Sequence, residues 1–384
     1  MFLIRKLIRL LAILINWLAI IWIILCCYAS TKDPAGAATL WSLWSFTTFF
    51  ALITNAFFLV FWLFTKKKWR ILYSFLALVF THNTWEPILA WNYFGSNKTK
   101  ATEKGIKILS WNVHLFDLGE WTEDETSKAK IIQYLEKEQP DILVLQEYYW
   151  DTKANSLPYT EIIQQLGYPY VALASESKMH KSTMNIRAEK GEIIDVGLAI
   201  FSKFPIEQEK VFNLSHNNYK LLYTEISIDE THSIDLATVH LTSTGIKSKD
   251  IEYIDEVKSK YTAAIEKSPL KRIIKSLIYA SAERSALAND IDSLKIHFEN
   301  PLIICGDFND IPSSYSYRKI KGNMGDAFIS KGVGLGRTFD KIFPTLRIDY
   351  ILYDKENLKA EGFYKEDIGL SDHYPISANF SFKK

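Results

Sequence analysis

The chain has 384 residues, long enough for one large domain or two ordinary ones to bury a core without disulfides. Its 45 basic and 44 acidic side chains leave a formal charge of +1, which carries no whole-chain footprint of a dedicated nucleic-acid binder, although a local basic cleft remains compatible with it. Cysteine is confined to Cys26, Cys27 and Cys305, which argues against a disulfide framework and leaves the compartment open.

Composition is asymmetric along the chain, with most tryptophans and the longest apolar runs before Gly95. Leu10 to Tyr28 is uncharged and interrupted only by Asn16, and a run of roughly 20 residues spans a hydrocarbon core. Pro34 to Thr65 carries no charge and accommodates a second span. Ile71 to Trp85 is shorter and polar at one end, where His82, Asn83 and Thr84 precede Glu86 and Pro87. It reads as a third span, with an interfacial or re-entrant helix as the alternative. Arg5, Lys6 and Arg9 ahead of an apolar stretch also mimic a signal peptide, but a second apolar run argues against cleavage, and bulky Leu25 argues against a lipoprotein site at Cys26. The basic clusters Arg5, Lys6, Arg9 and Lys66, Lys67, Lys68, Arg70 are placed in the cytoplasm by the positive-inside rule. If the third segment crosses, the remainder of the chain lies outside the cytoplasmic membrane; if not, it faces the cytosol. The expected organisation is a multi-pass membrane region over 1–95, a polar, lysine-containing linker over 96–104 and a catalytic domain over 105–384.

From Gly105 short β-branched and aromatic runs alternate with helical ones, the signature of an α/β domain. Expected strands are Lys107 to Val113, Ile142 to Gln146, Gly197 to Ser202, Leu222 to Ile228, Ile234 to His240, Leu302 to Gly306, Ile348 to Tyr353 and Ile376 to Phe382. Eight strands suggest two packed sheets. Asp124 to Glu138 reads as a covering helix with Ile131, Ile132 and Leu135 on one face, stopped by Pro140. Ser248 to His297 reads as helices broken at Pro269, with Lys271, Arg272 and Lys275 on a solvated face rather than against phosphates or head groups.

Polar residues recur where the expected strands end. Asn112 stands in Ser-Trp-Asn-Val-His, Glu147 in Leu-Val-Leu-Gln-Glu, and Asp307 with Asn309 in Cys-Gly-Asp-Phe-Asn-Asp. Asp349 is a charge inside the apolar run Arg-Ile-Asp-Tyr-Ile-Leu, Asp372 and His373 stand in Leu-Ser-Asp-His-Tyr-Pro before the last strand, and His240 ends Asp-Leu-Ala-Thr-Val-His-Leu. An apolar strand fixed in the core holds the residue just beyond it rigidly at the sheet rim, where catalytic groups are commonly carried. Taken singly, each has a bland reading: a satisfied buried carboxylate, a core histidine, a turn or cap, a surface charge. Taken in order they read as a site. His82, Glu86, His114, Asp117 and His180 lack that context and read as structural or surface residues.

At these positions the sequence resembles the endonuclease/exonuclease/phosphatase family over about Lys107 to Phe382. The motifs occur in family order and include Gly-Leu-Ala-Ile-Phe-Ser-Lys-Phe-Pro-Ile from Gly197 to Ile206. The resemblance implies a four-layered α/β sandwich, two sheets flanked by helices, and a divalent-metal-dependent phosphoesterase, of nuclease or phosphodiesterase type. It implies Mg²⁺ or Mn²⁺, with Glu147 the leading ligand and Asn112 and Asp372 as further oxygen donors; hard oxygen ligands without a cysteine pair disfavour structural zinc. It further implies that Asp349 fixes the tautomer of His373, that Asp307 and Asn309 orient the water or the phosphoryl oxygens, and that His240 stabilises developing charge or protonates the leaving oxygen. Nuclease members often carry a basic residue soon after Gln-Glu, where this chain has Tyr148, Tyr149 and Trp150. These aromatics read as packing residues rather than a stacking platform, so a nucleic acid, a phospholipid and a small phosphodiester all stand as substrates. The competing reading is a catalytically silent membrane-bound scaffold; a transporter built from two or three helices without a charged pathway has little support.

Overall fold

The structure, a computed structural model, describes residues 2–93, 105–118, 126–151, 158–180, 193–215, 218–245, 267–341 and 346–383. The expected linker, the start of the expected first covering helix and the first part of the charged connection after Ser248 lie outside these residues.

The N-terminal region is helical. Helix α1 (Phe2–Thr31) is followed by α2 (Ser42–Ser45), α3 (Thr48–Leu63), α4 (Ile71–Phe80), α5 (His82–Trp85) and strand β1 (Ala90–Trp91). Side-chain hydrogen bonds fix how the helices lie together. Trp62 donates to Asn16 Oδ1 at 2.7 Å, Asn55 to the Ala19 carbonyl at 2.8 Å and Trp22 to Thr47 Oγ1 at 2.8 Å. Residue numbers on α3 fall as those on α1 rise, so the two helices are antiparallel. Asn16 also donates to Ser74 of α4 at 2.7 Å, and Ser30 meets Thr84 at 3.4 Å, so the chain from Ile71 to Trp85 runs back along α1. Among the described residues only the helix over Leu3–Thr31 is by itself long and apolar enough to cross a membrane; Thr39–Ser45 and Thr48–Leu63 pass the same test together only as one span bent by 48°. The expected third span is split at Thr81, and the ten residues of α4 extend only about 15 Å, half a hydrocarbon core.

The rest of the described chain forms two six-stranded sheets. In chain order its elements are β2 (Ile106–Asn112), α6 (Ser127–Glu138), β3 (Ile142–Asp151), α7 (Pro158–Gln165), β4 (Tyr170–His180), β5 (Ile193–Ser202), β6 (Ile206–Asn213), β7 (Lys220–Ser227) and β8 (Ser233–His240). There follow α8 (Lys267–Leu294), β9 (Leu302–Asp307), α9 (Tyr315–Lys321), β10 (Gly325–Asp326), α10 (Ala327–Lys331), β11 (Val333–Gly334), β12 (Asp349–Tyr353), β13 (Leu358–Lys365) and β14 (Ile376–Phe382). One sheet has the order β13-β14-β2-β3-β5-β4 and the other β10-β12-β9-β8-β7-β6. The pairs β2/β3 and β8/β9 are parallel; their neighbours are antiparallel.

Period-two alternation sorts the side chains into layers. Ile106 and Ile108 of β2, Ile142 and Val144 of β3, Ile234 and Leu236 of β8, and Ile303 and Cys305 of β9 share the core between the sheets. The intervening Leu109, Leu143 and Leu145 face α6 and α7 with Ile131, Leu135 and Ile163, while Ala237, Val239 and Ile304 face α8 with Leu287 and Ile291. Both faces of both sheets are covered, which is why these strands are continuous apolar runs. All eight expected strands form, within a four-layered sandwich. Among the described residues α8 runs from Lys267 to Leu294 and includes Pro269; the chain before Lys267, where the expected break would separate two helices, lies outside them. The side chains of Lys271, Arg272 and Lys275 are exposed, as expected.

The N-terminal helices dock on the sandwich through specific contacts. Ser313 donates to the Ser45 carbonyl at 2.9 Å and Asn289 of α8 to Asp33 at 2.8 Å. Buried Arg347 bridges Asp326 at 2.8 Å and the Pro87 carbonyl at 2.7 Å, and β1 pairs with β11, Ala90 opposite Gly334.

Candidate active site

The parity that builds the inner core also builds the site. Asn112 continues the inward series of Ile106 and Ile108, His240 that of Ile234 and Leu236, Asp307 that of Ile303 and Cys305, and Asp349 is in phase with Ile351. The strand ends coincide because His240 and Asp349 both pair in register with Asp307 and Asn112 pairs with Gln146. All eight expected site residues therefore gather at one end of the sandwich, where the sheets part.

Local backbone conformations aim the remaining groups. Glu147 lies at a break in the β3/β5 register with φ 49°, so the chain turns there instead of continuing the inward series. Asn309 has φ 51°, a region that asparagine tolerates, and its N–H donates to Asp307 Oδ1 at 2.8 Å. Gly306 has φ +142°, and a Cβ there would stand 2.1 Å from the Val239 carbonyl oxygen, so only glycine lets β9 close on β8 just before Asp307. His114 to Asp117 all adopt φ between 44° and 58°, a left-handed turn costing about 1–2 kcal/mol per residue. Burial of Leu115 and Phe116 and a 2.6 Å hydrogen bond from Ser127 to Asp117 hold it.

The contacts form a continuous network. Asn112 donates to Glu147 at 3.0 Å and to Asp307 at 3.1 Å. His373 Nδ1 lies 3.0 Å from Asp349 Oδ2, and its Nε2 is 3.6 Å from Asp307. His240 Nε2 is 3.7 Å from Asp307 and 3.8 Å from Glu147, while its Nδ1 is 3.8 Å from Glu176. Asp372 contacts His114 at 3.0 Å and Lys341 at 3.1 Å.

Buried carboxylates and imidazoles so close together shift one another. Burial pushes the Asp307 carboxyl up, with His373 pulling against it. Burial would lower the His373 imidazole, but Asp349 and Asp307 outweigh it and hold it well above its ordinary value. His240 is raised to about 9, since Glu176, Asp307 and Glu147 overcome its desolvation. Asp372 is held below the usual carboxylate range, because His114, His373 and Lys341 outweigh its burial.

Three participants escaped sequence reasoning. His114 is not the structural or surface residue expected: it borders the cavity on Asp372, carried there by the left-handed turn, and its position two residues after Asn112 was the available signal. Glu176 reaches His240 from β4, a strand not foreseen. Gln146 is fully buried and donates to Ser110 and Thr238, tying the two sheets beneath the site. The aromatic residues after Glu147 pack as expected: Tyr148 and Tyr149 are buried among Phe116 and Phe201, and Tyr148 meets Thr160 at 2.7 Å.

His114, Glu147, His240, Asp307, Asn309, Asp372 and His373 border a cavity of about 560 Å³. The rest of its lining is largely apolar and comes partly from the N-terminal helices, with Phe46, Phe49, Phe50 and Ile88 joined by Ile273 and Leu277 of α8, Ile311 and Ile348, and with Ser45, Ser313 and Lys341 among them.

A two-sheet sandwich with this carboxylate, amide and histidine cluster at its mouth defines a hydrolase of the phosphoesterase or nuclease type. The chain belongs to the Endonuclease/Exonuclease/phosphatase family, whose model matches residues 109–373. A second family model, described as a domain of unknown function, matches residues 5–88. The chain is 24% identical over 294 residues to a DNA-(apurinic or apyrimidinic site) endonuclease of Dictyostelium discoideum, covering 73% of this chain and 72% of that protein. It is 22% identical over 324 residues to human Nocturnin, covering 73% of this chain and 66% of that protein. The solved human Nocturnin catalytic domain with bound sulfate superposes with a TM-score of 0.51 at 19% identity, covering 74% of this chain and 97% of that one, which shows the shared fold. Enzymes of this family are generally divalent-metal-dependent. Among the described residues, the group whose ligand atoms all lie within 4.8 Å of one another is Asp307, Asp349 and His373, a different set from the expected ligands.

Proposed function

We propose that the protein is a membrane-anchored, divalent-metal-dependent phosphoesterase acting on phosphodiester or phosphomonoester bonds, of nuclease or phosphodiesterase type. The observation that carries this is the convergence of Glu147, His240, Asp307, Asn309, Asp372 and His373 on one cavity, with Asn112 bonded to Glu147 and Asp307, and Asp349 to His373, directly behind them. The proposed organisation keeps a membrane region over 1–95, a linker over 96–104 and a catalytic domain over 105–384.

We assign Glu147, Asp372 and Asn112 to Mg²⁺ or Mn²⁺. Their donors are hard oxygens, both carboxylates border the cavity, and both act on His114 to favour its protonated form, so this corner attracts positive charge. The tighter group of Asp307, Asp349 and His373 fits a hydrogen-bonded relay better, since His373 Nδ1 is already committed to Asp349 and its Nε2 faces Asp307. When bound, the cation neutralises phosphate charge and lowers the barrier to attack.

The chain's own groups divide the remaining work. Asp307, its carboxyl raised by burial, takes the proton from the attacking water, and Asn309 orients that water. His373, held protonated by Asp349, donates from Nε2 to a phosphoryl oxygen. His240, also protonated at neutral pH, stabilises the leaving oxygen.

The anchor reading rests on the length of α1 and on the exposed apolar faces of α1 and α3. Because Asp33 and Ser45 contact the sandwich at the end of α1 remote from Arg5, Lys6 and Arg9, the catalytic domain lies opposite the basic clusters, on the extracytoplasmic side. The full chain in detergent, assayed with Mg²⁺ or Mn²⁺ on bis-p-nitrophenyl phosphate, plasmid DNA and RNA, tests the reading. Hydrolysis abolished by EDTA and by Glu147→Gln supports it; metal binding and turnover both absent would leave the silent scaffold.

A further inference from the structure

The apolar half of the cavity is not needed for metal or phosphate chemistry, and its wall is built by the segment read as membrane-embedded. Phe46 stands at the bend between α2 and α3, and Phe49 and Phe50 lie in the first turn of α3. Leu277 and Ile273 of α8, with Ile311 and Ile348, extend this apolar lining in the same cavity that Glu147, His240, Asp307 and His373 border. The cavity is therefore amphipathic, charged where phosphate chemistry would occur and greasy beside the anchor.

The apolar wall continues into the outer surface of the anchor. Phe50, Ile53, Phe57 and Val60 on α3, and Phe64 just past its end, recur at three- and four-residue spacing, so they form one stripe along the helix. Each is at least half exposed, from 50% at Phe50 to 86% at Phe64. Phe50 belongs both to this stripe and to the cavity wall. An alkyl chain lying along a lipid-facing stripe would thus meet apolar surface without interruption from the bilayer side to the cavity. A nucleic acid would place charged phosphates against that wall, and Tyr148 and Tyr149, the aromatic residues directly after Glu147, are buried in the core and do not line the cavity.

On the phosphoesterase reading above, we infer that the substrate is a lipid phosphoester, with its phosphate among Glu147, His240, Asp307 and His373 and an acyl or alkyl chain against Phe46, Phe49, Phe50 and Leu277. The anchor then forms part of the substrate site and presents it to the bilayer.

The test uses the full chain in lipid nanodiscs with Mg²⁺ and a series of alkyl p-nitrophenyl phosphodiesters from methyl to octyl, each as a monomer. Burial of one methylene corresponds to about fourfold in affinity, so kcat/KM should rise by about tenfold or more across the series. Partition into the bilayer raises the longer esters equally for every variant, so the reading is the octyl-to-methyl ratio in Phe49→Ser and Leu277→Ser relative to wild type. A ratio that collapses in the variants supports the tail site; the two substitutions lie on different elements, so misfolding of one leaves the other informative. Equilibrium binding of octylphosphonate and methylphosphonate separates the two readings. No ester turnover, but octylphosphonate preferred and that preference lost in the variants, upholds the tail site and removes the hydrolase. Turnover with a ratio identical in wild type and both variants removes the tail site and leaves the hydrolase. Neither turnover nor chain-length preference overturns both.

Discussion

His373 holds its Nδ1 3.0 Å from Asp349, one strand away from the carboxylate that its Nε2 faces, so a single imidazole links a structural carboxylate to Asp307. Asp349→Asn should remove the main charge keeping His373 protonated. The alkaline limb of the pH–rate profile should move to lower pH, with kcat reduced on the order of 10²- to 10⁴-fold. An unmoved limb would show that His373 does not depend on Asp349 for its charge.

His240 predicts a pH dependence of stability in the metal-free protein. Its folded value of about 9 lies above the ordinary 6.5, so folding favours the protonated ring. That stabilisation is complete below about pH 6.5 and is lost as pH rises through about 9, reaching at most a few kcal/mol. In EDTA, wild type should lose melting temperature across this window and His240→Asn should lose much less.

Arg347 lies at the junction between the N-terminal helices and the sandwich, bonded to Asp326 and to the Pro87 carbonyl while stacked on Phe328 and Tyr350. Arg347→Ala strands a buried carboxylate, and denaturant unfolding should show a loss of about 3–5 kcal/mol. A loss below about 1 kcal/mol would place the junction's strength elsewhere.

Gly306→Ala should be among the most damaging small substitutions. It combines a φ that side chains rarely adopt with a Cβ on the Val239 carbonyl, directly before Asp307. Soluble yield and melting temperature should both fall; near-normal stability would mean that β8 and β9 can separate without disturbing the core.

The site was legible wherever a polar residue interrupts or ends an apolar strand, since strand phase alone aims Asn112, His240, Asp307 and Asp349 inward. The alternation showed an α/β domain with strands enough for two sheets, while the four-layered arrangement was implied by the family resemblance. What escaped lacks a periodic signature. The edge strand β6 is mostly exposed and opens on a polar run, Glu207, Gln208, Glu209 and Lys210 in succession, so it resembles a loop. His114 depends on a left-handed turn with no glycine to announce it. The break at Thr81 hides in an apolar segment whose composition does not reveal it.

The hydrogen bond from Ser313 to the Ser45 carbonyl also bears on how the enzyme can be studied. Trimming the chain to the portion that matches the hydrolase family would carry away Phe46, Phe49 and Phe50 and leave the catalytic cluster at the floor of a shallow, solvent-flooded dish. Turnover by such a fragment would measure the intrinsic reactivity of the cluster, while any selectivity for an alkyl chain, on the lipid-substrate inference, would have left with the discarded helices.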